Sequence, residues 1–125
     1  MNIGELEAKI NQQLAQVNLK QEEKCHEIRE LEELEADYFS IHQQEQRYYQ
    51  ELIGNNQGSQ YMSHFIELDE EAHRLHQYER QRLENIAERL VNEEVQLKKQ
   101  EDKLYVERKL LFSDVKTAEE ELYGY

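Results

Sequence analysis

A chain of 125 residues carrying a formal charge of −13, from 28 acidic and 15 basic side chains, has room for one domain at most. Its acidity argues against nucleic acid, where affinity comes from neutralising phosphates, and against an anionic membrane surface. With no proline, 34% charged residues and a mean hydropathy of −1.05, it suits helices that are wet over most of their surface and apolar along a narrow seam.

The first predicted helix covers residues 3–53. Its apolar stripe reads Ile3, Leu6, Ile10, Leu14, Val17, Ile28, Leu31, Tyr38, Ile41, Tyr48 and Leu52, in steps that keep side chains on one face. Residues 54–59, Gly-Asn-Asn-Gln-Gly-Ser, are turn chemistry. Gly54 suits a position just past a helix end, and Ser59 suits an N-cap. The second predicted helix covers residues 60–122, with Tyr61, Phe65, Leu68, Ala72, Leu75, Leu83, Ile86, Leu90, Leu97, Leu104, Leu111, Val115, Ala118 and Leu122 on its stripe. Residues 123–125 are expected to fray, because Glu119, Glu120 and Glu121 oppose the helix dipole at that end. The predicted fold is all-α, a two-helix antiparallel coiled-coil hairpin that completes a helical bundle with a partner.

A turn centred near Asn56 makes facing residue numbers total roughly 113 in this hairpin geometry. That sets Tyr38 against Leu75, Val17 against Leu97 and Ile10 against Leu104, and leaves the chain after Leu111 overhanging. Gln21, Lys24, Glu79, Glu94 and Glu101 fall on the seam as polar insertions, read as a partly open seam or as layers that fix register.

A second apolar line runs beside the first: Leu19, Cys25, Leu34, Phe39, Tyr49 and Ile53 on the first helix, and Met62, Ile66, Leu83, Ala87, Val91, Val95, Tyr105 and Phe112 on the second. It widens the apolar face beyond what two helices cover, which marks a surface for a further helix. From Leu34 onward this line is the candidate partner interface. The occupant is another protein or, for the chain in isolation, a second copy. Aromatics gather near the turn, at Tyr38, Phe39, Tyr48, Tyr49, Tyr61, Phe65 and Tyr78, as at interfaces. Cys25 is expected to be a small half-buried apolar residue.

Glu70-x-x-His73, with His42 level with Glu71, matches half of a carboxylate di-iron motif. The full site needs a second such motif and two more glutamates, so solvated polar residues are the expectation. His26, His64 and His76 add no recognisable site, and no phosphate-cradling glycine loop or nucleophile–base constellation is present. The chain reads as a non-enzyme with no catalytic residues, metal or cofactor. Met1-Asn2-Ile3-Gly4-Glu5 has neither a Sec-type leader nor a myristoylation glycine, so the expected compartment is the cytoplasm.

Leu52-x-Gly54-x-Asn56-x-Gly58 followed by Phe65 resembles the turn of the WXG-family helical hairpins of type VII secretion, with Asn56 where that family has tryptophan. The family's C-terminal Tyr-x-x-x-Asp/Glu export signal is missing; Phe65-x-x-x-Asp69 has a related spacing at the wrong end of the second helix. Asp37-Tyr38-Phe39 to Leu52, and Leu97 to Leu111 with Lys103-Leu104-Tyr105-Val106-Glu107-Arg108, are similar to the small accessory hairpins encoded beside LXG toxins in Gram-positive bacteria. The resemblance implies an adaptor, chaperone or targeting factor. It would pack beside the helical N-terminal domain of an LXG toxin, together with a second small accessory hairpin in some assemblies, and could be co-exported with it. Two other readings fit the same pattern: a type III or flagellar export stalk protein, and a structural coiled-coil homodimer.

Overall fold

The computed structural model describes residues 2–123. It contains two long helices, α1 (Ile3–Asn55) and α2 (Met62–Tyr123), joined by a short connection into an antiparallel hairpin. Gly124 and Tyr125, expected to fray, lie outside the described residues, and Tyr123 is the last residue of α2.

The helix ends are set by short polar side chains. Asn2 caps α1: its Oδ1 accepts from the Glu5 N–H at 2.8 Å and its carbonyl from the Leu6 N–H at 3.1 Å. At the other end α1 runs through Gly54 to Asn55, two residues beyond the predicted stop. The reason is Asn56, whose Nδ2 donates to the Leu52 carbonyl at 2.7 Å and so satisfies one of the last turn's open acceptors. Gly58 is the glycine the turn requires, with φ +74°. Ser59 lies two residues before the N-cap position: its Oγ accepts from the Tyr61 N–H at 3.2 Å, and the Tyr61 carbonyl accepts the first α-helical bond, from Phe65. α2 therefore begins at Met62 and not at Gln60.

The chain divides into two compact units, Ile28–Arg89 around the turn and Met1–Glu27 with Leu90–Tyr125 around the termini. In each, a piece of α1 packs on a piece of α2 through a seven-residue repeat. On α1 the sheltered positions include Ile10, Val17, Lys24, Leu31, Tyr38, Glu45 and Leu52, with Leu14, Gln21, Ile28, Glu35, His42 and Tyr49 four residues after each of the first six. On α2 they include Met62, Asp69, His76, Leu83, Leu90, Leu97, Leu104 and Leu111, with Phe65, Ala72, Glu79, Ile86 and Glu93 three residues after each of the first five. Among the described residues the buried apolar side chains are Leu14, Val17 and Leu90 in the terminal unit and Leu31 in the turn unit, where His76 is buried as well.

This repeat moves part of the predicted seam. Ile41, Tyr48 and Leu75 are exposed, at 59%, 58% and 60%, and Ile3, Tyr61 and Leu122 are also exposed. His42, Tyr49 and His76, each one residue later, take the inner positions instead. Glu94 is likewise exposed while Glu93 faces inward. The longer leucine runs fix a seven-residue phase, and the apolar letters at 41, 48 and 75 are one position out of it. The side chains of Val115 and Ala118 lie outside the described set.

Register differs from expectation by about one helical turn. Lys24 pairs with Glu93 and Asn11 with Arg108, at 3.2 Å for the latter, in the terminal unit; Gln46 pairs with His73 at 3.3 Å in the turn unit. Facing numbers thus total 117 to 119 in these pairs. The turn is centred between Gly58 and Ser59, and helical side chains lean toward their own N-terminus, which raises the totals at contact.

Candidate functional site

In the terminal unit the polar seam positions satisfy one another. Lys24 Nζ bridges Glu93 and Glu27, the latter at 3.1 Å, and these carboxylates raise the ammonium's pKa above its ordinary value. Glu101 accepts from Lys98 at 2.9 Å and also bonds Gln21; Lys98 foremost holds its carboxyl below the usual range. These polar insertions are therefore paired layers rather than gaps.

The turn unit holds a denser cluster. Tyr38, His42 and Glu45 come from α1, and His73 and His76 from α2. His76 is the buried centre. Its Nε2–H donates to Glu45 Oε2 at 2.9 Å, so its Nδ1 is the acceptor for the Tyr38 hydroxyl at 2.5 Å. His42 stacks on His76, with centroids 3.8 Å apart and planes at 22°, and meets His73 edge-on at 6.3 Å. His73 Nδ1–H donates to the Asp69 carbonyl at 2.8 Å, leaving Nε2 to accept from Gln46 Nε2 at 3.3 Å. His42 Nε2 is buried with no hydrogen-bond partner. The cluster borders a cleft of about 540 Å³, whose other walls include Phe39, Leu83, Glu35, Arg80 and Glu84.

Within this cluster two groups have shifted pKa values. Burial foremost, then His76 and His73 beside it, push the His42 imidazolium's pKa below the ordinary value of 6.5. Burial, followed by Glu79 and Glu45, raises the Tyr38 phenol above 10.0. The Tyr38–His76–Glu45 chain links the two helices through one buried ring, and the raised pKa keeps the Tyr38 hydroxyl protonated within it.

The sequence places His42 level with Glu71; in the structure its neighbours are His73 and His76, while Glu70 and Glu71 are exposed. Among the described residues no group of three or more His, Cys, Asp or Glu side chains is arranged to hold a metal ion. The signal that could have found this cluster is the repeat itself: His42 and His76 share the phase of Tyr49 and Leu83.

The predicted partner-interface residues divide into two sets. Tyr49, Ile53, Met62, Ile66, Leu83 and Ala87 are half-buried against the facing helix. Leu34 and Phe39 in the turn unit, and Val91, Val95, Tyr105 and Phe112 in the terminal unit, are exposed. The Lys98–Asp102 ion pair, at 3.3 Å, interrupts the line between Val95 and Tyr105. Cys25, expected half-buried, is exposed. At the turn, a Cβ on Gly54 or Gly58 would meet nothing within 4 Å, so these glycines admit no close backbone approach within the chain. No helix of the described residues is long and apolar enough to cross a membrane. No protein-family model matches the chain, and neither a curated protein nor a solved structure matches it.

Proposed function

We propose that this protein is a non-catalytic helical adaptor that binds the helical N-terminal domain of an LXG-type toxin and promotes its stability and recruitment to type VII secretion. The observation that carries the partner-binding reading is the exposure of Val91, Val95, Tyr105 and Phe112 in a unit whose seam is already closed by Lys24, Glu93 and their neighbours. Large apolar side chains left outside a completed seam are available to a further helix. The assignment to type VII secretion is supported by the turn, Leu52-x-Gly54-x-Asn56-x-Gly58 followed by Phe65, and by the likeness of both helices to accessory hairpins. The non-catalytic part is supported by the sequence, which carries no phosphate-cradling glycine loop and no nucleophile–base motif.

The test is co-purification with the N-terminal domain of an LXG toxin encoded beside this chain, with complex mass measured by light scattering. Val91→Asp and Val95→Asp should each weaken capture at least tenfold while helicity is retained. Unchanged capture in both variants would remove this interface, and a self-dimer that ignores the toxin domain would favour the structural homodimer.

A further inference from the structure

The exposed residues Ile41, Tyr48 and Leu75 belong to neither the seam nor the Val91–Phe112 line. Leu34, Ile41 and Tyr48 recur every seven residues on α1, each three positions after a seam residue (Leu31, Tyr38, Glu45). Tyr61, Leu68 and Leu75 recur every seven on α2, each one position before a seam residue (Met62, Asp69, His76). In an antiparallel pair, flanks of the same hand adjoin. The histidine cleft uses one flank, with Gln46 bonded to His73 and Phe39 beside Arg80. These two lines occupy the other, with Ile41 level with Leu75 and Tyr48 with Leu68. Leu34, Ile41, Tyr48, Tyr61 and Leu75 are all more than half exposed.

Two parallel apolar lines on adjacent helices form a groove that accepts the stripe of a third helix. From Leu34 to Tyr48 it extends for about 21 Å, at ~1.5 Å per residue. Its charge selects the occupant. The turn unit, Ile28–Arg89, contains fourteen acidic and six basic residues, a net of −8. Asp37 and Glu51 follow the outer edge of the α1 line and Glu71 that of the α2 line, while Arg82 continues the α2 line. A second copy would bring another charge of −8 against this one.

We propose that the groove between the Leu34–Ile41–Tyr48 and Tyr61–Leu75 lines docks an amphipathic partner helix of about four turns or more, whose apolar stripe is flanked by lysine or arginine. This surface is separate from the Val91–Phe112 line, and neither proposal depends on the other.

The probe is a synthetic 21-residue helix with leucine at a and d and lysine at e and g, whose own charge keeps it monomeric. Binding to the full chain is followed by fluorescence anisotropy. Saturable binding is expected, weakened at least tenfold by Ile41→Asp and by Leu75→Asp. It should change less than twofold with Val91→Asp, weaken as salt rises, and vanish when glutamate replaces the peptide's lysines. Circular dichroism checks that each variant stays helical, and Ile41→Ser replaces any that does not. The proposal is overturned by absence of saturable binding, or by binding indifferent to all substitutions at Ile41 and Leu75. A self-dimer dispersed by Ile41→Asp would equally overturn it, by giving the groove to a second copy.

Discussion

Replacing His42 by leucine should stabilise the turn unit, and the gain should grow as the solution is acidified. The reasoning starts from one atom. His42 Nε2 is buried without a partner, and a buried polar group left unsatisfied costs about 1–3 kcal/mol. His42 is half-buried rather than enclosed, so the lower part of that range applies. Leucine removes the penalty and fills a comparable volume, at the cost of the stack on His76. A gain of about 1 kcal/mol is expected at pH 8, where the wild-type ring is neutral. Acid adds a second term. Burial foremost, then His76, His73 and the weaker push of Arg80, lower His42's pKa in the folded chain, against an opposing pull from Glu45. The unfolded chain therefore takes up this proton first, near 6.5, and the folded chain only at lower pH. The site's contribution is fully present above 6.5 and is lost as pH falls through 6.5 toward the folded value. A single proton sets a ceiling of about 1.4 kcal/mol per pH unit on that slope. Urea denaturation followed by circular dichroism, at half-unit steps from pH 8 to pH 5, measures both terms for wild type and His42→Leu. The reasoning fails if the variant is less stable at pH 8, or if the two profiles run parallel through the acid range.

Two further substitutions test the turn and the seam. Gly54→Ala should stabilise by about 0.5–1 kcal/mol, because Gly54 is helical and an added Cβ meets nothing within 4 Å. Gly58→Ala should destabilise by about 1–2 kcal/mol although its surroundings are equally open, because its φ of +74° disfavours an L side chain; equal effects from the two would contradict this account of the turn. Leu90→Ala, at a side chain only 5% exposed, should cost about 2–3 kcal/mol, near the low end for a core leucine because a two-helix seam can close partly over the gap. A loss below 1 kcal/mol in thermal or urea unfolding would show that Leu90 is not a core residue.

The hairpin itself was legible from composition and turn chemistry, because nothing between Ile3 and Ile53 or between Met62 and Leu122 breaks a helix. The phase was less so. Reading apolar letters selects Ile41, Tyr48 and Leu75, yet helices that pack over this length follow a seven-residue repeat whether or not each position is apolar. Lys24, Glu45, His76 and Glu93 sit inward because partners on the opposite helix satisfy them, and those pairings exist only once the helices meet. The same limit hid the histidine cluster. His42 and His76 are 34 residues apart in sequence, and a turn centre misjudged by two or three residues shifts the facing partner by a whole helical turn. Asn56 was visible as turn chemistry, but its letter does not say that its side chain turns back to the Leu52 carbonyl and carries α1 two residues further.

The paired seam also dictates an order of assembly. The turn unit is one unbroken stretch of chain, and its contacts join residues such as Gln46 and His73, 27 apart, whereas Asn11 and Arg108 are 97 apart. Closing the shorter loop costs less entropy, so zippering from the turn toward the termini is the favoured route. Synthesis runs the other way. The residues of α1 that need Leu90, Glu93 and Arg108 are made first and are completed last. Until α2 is made, Leu14 and Val17 await a helix that does not yet exist, which makes newborn α1, rather than the finished hairpin, the stage at which these side chains are most exposed to aggregation or to capture by another helix.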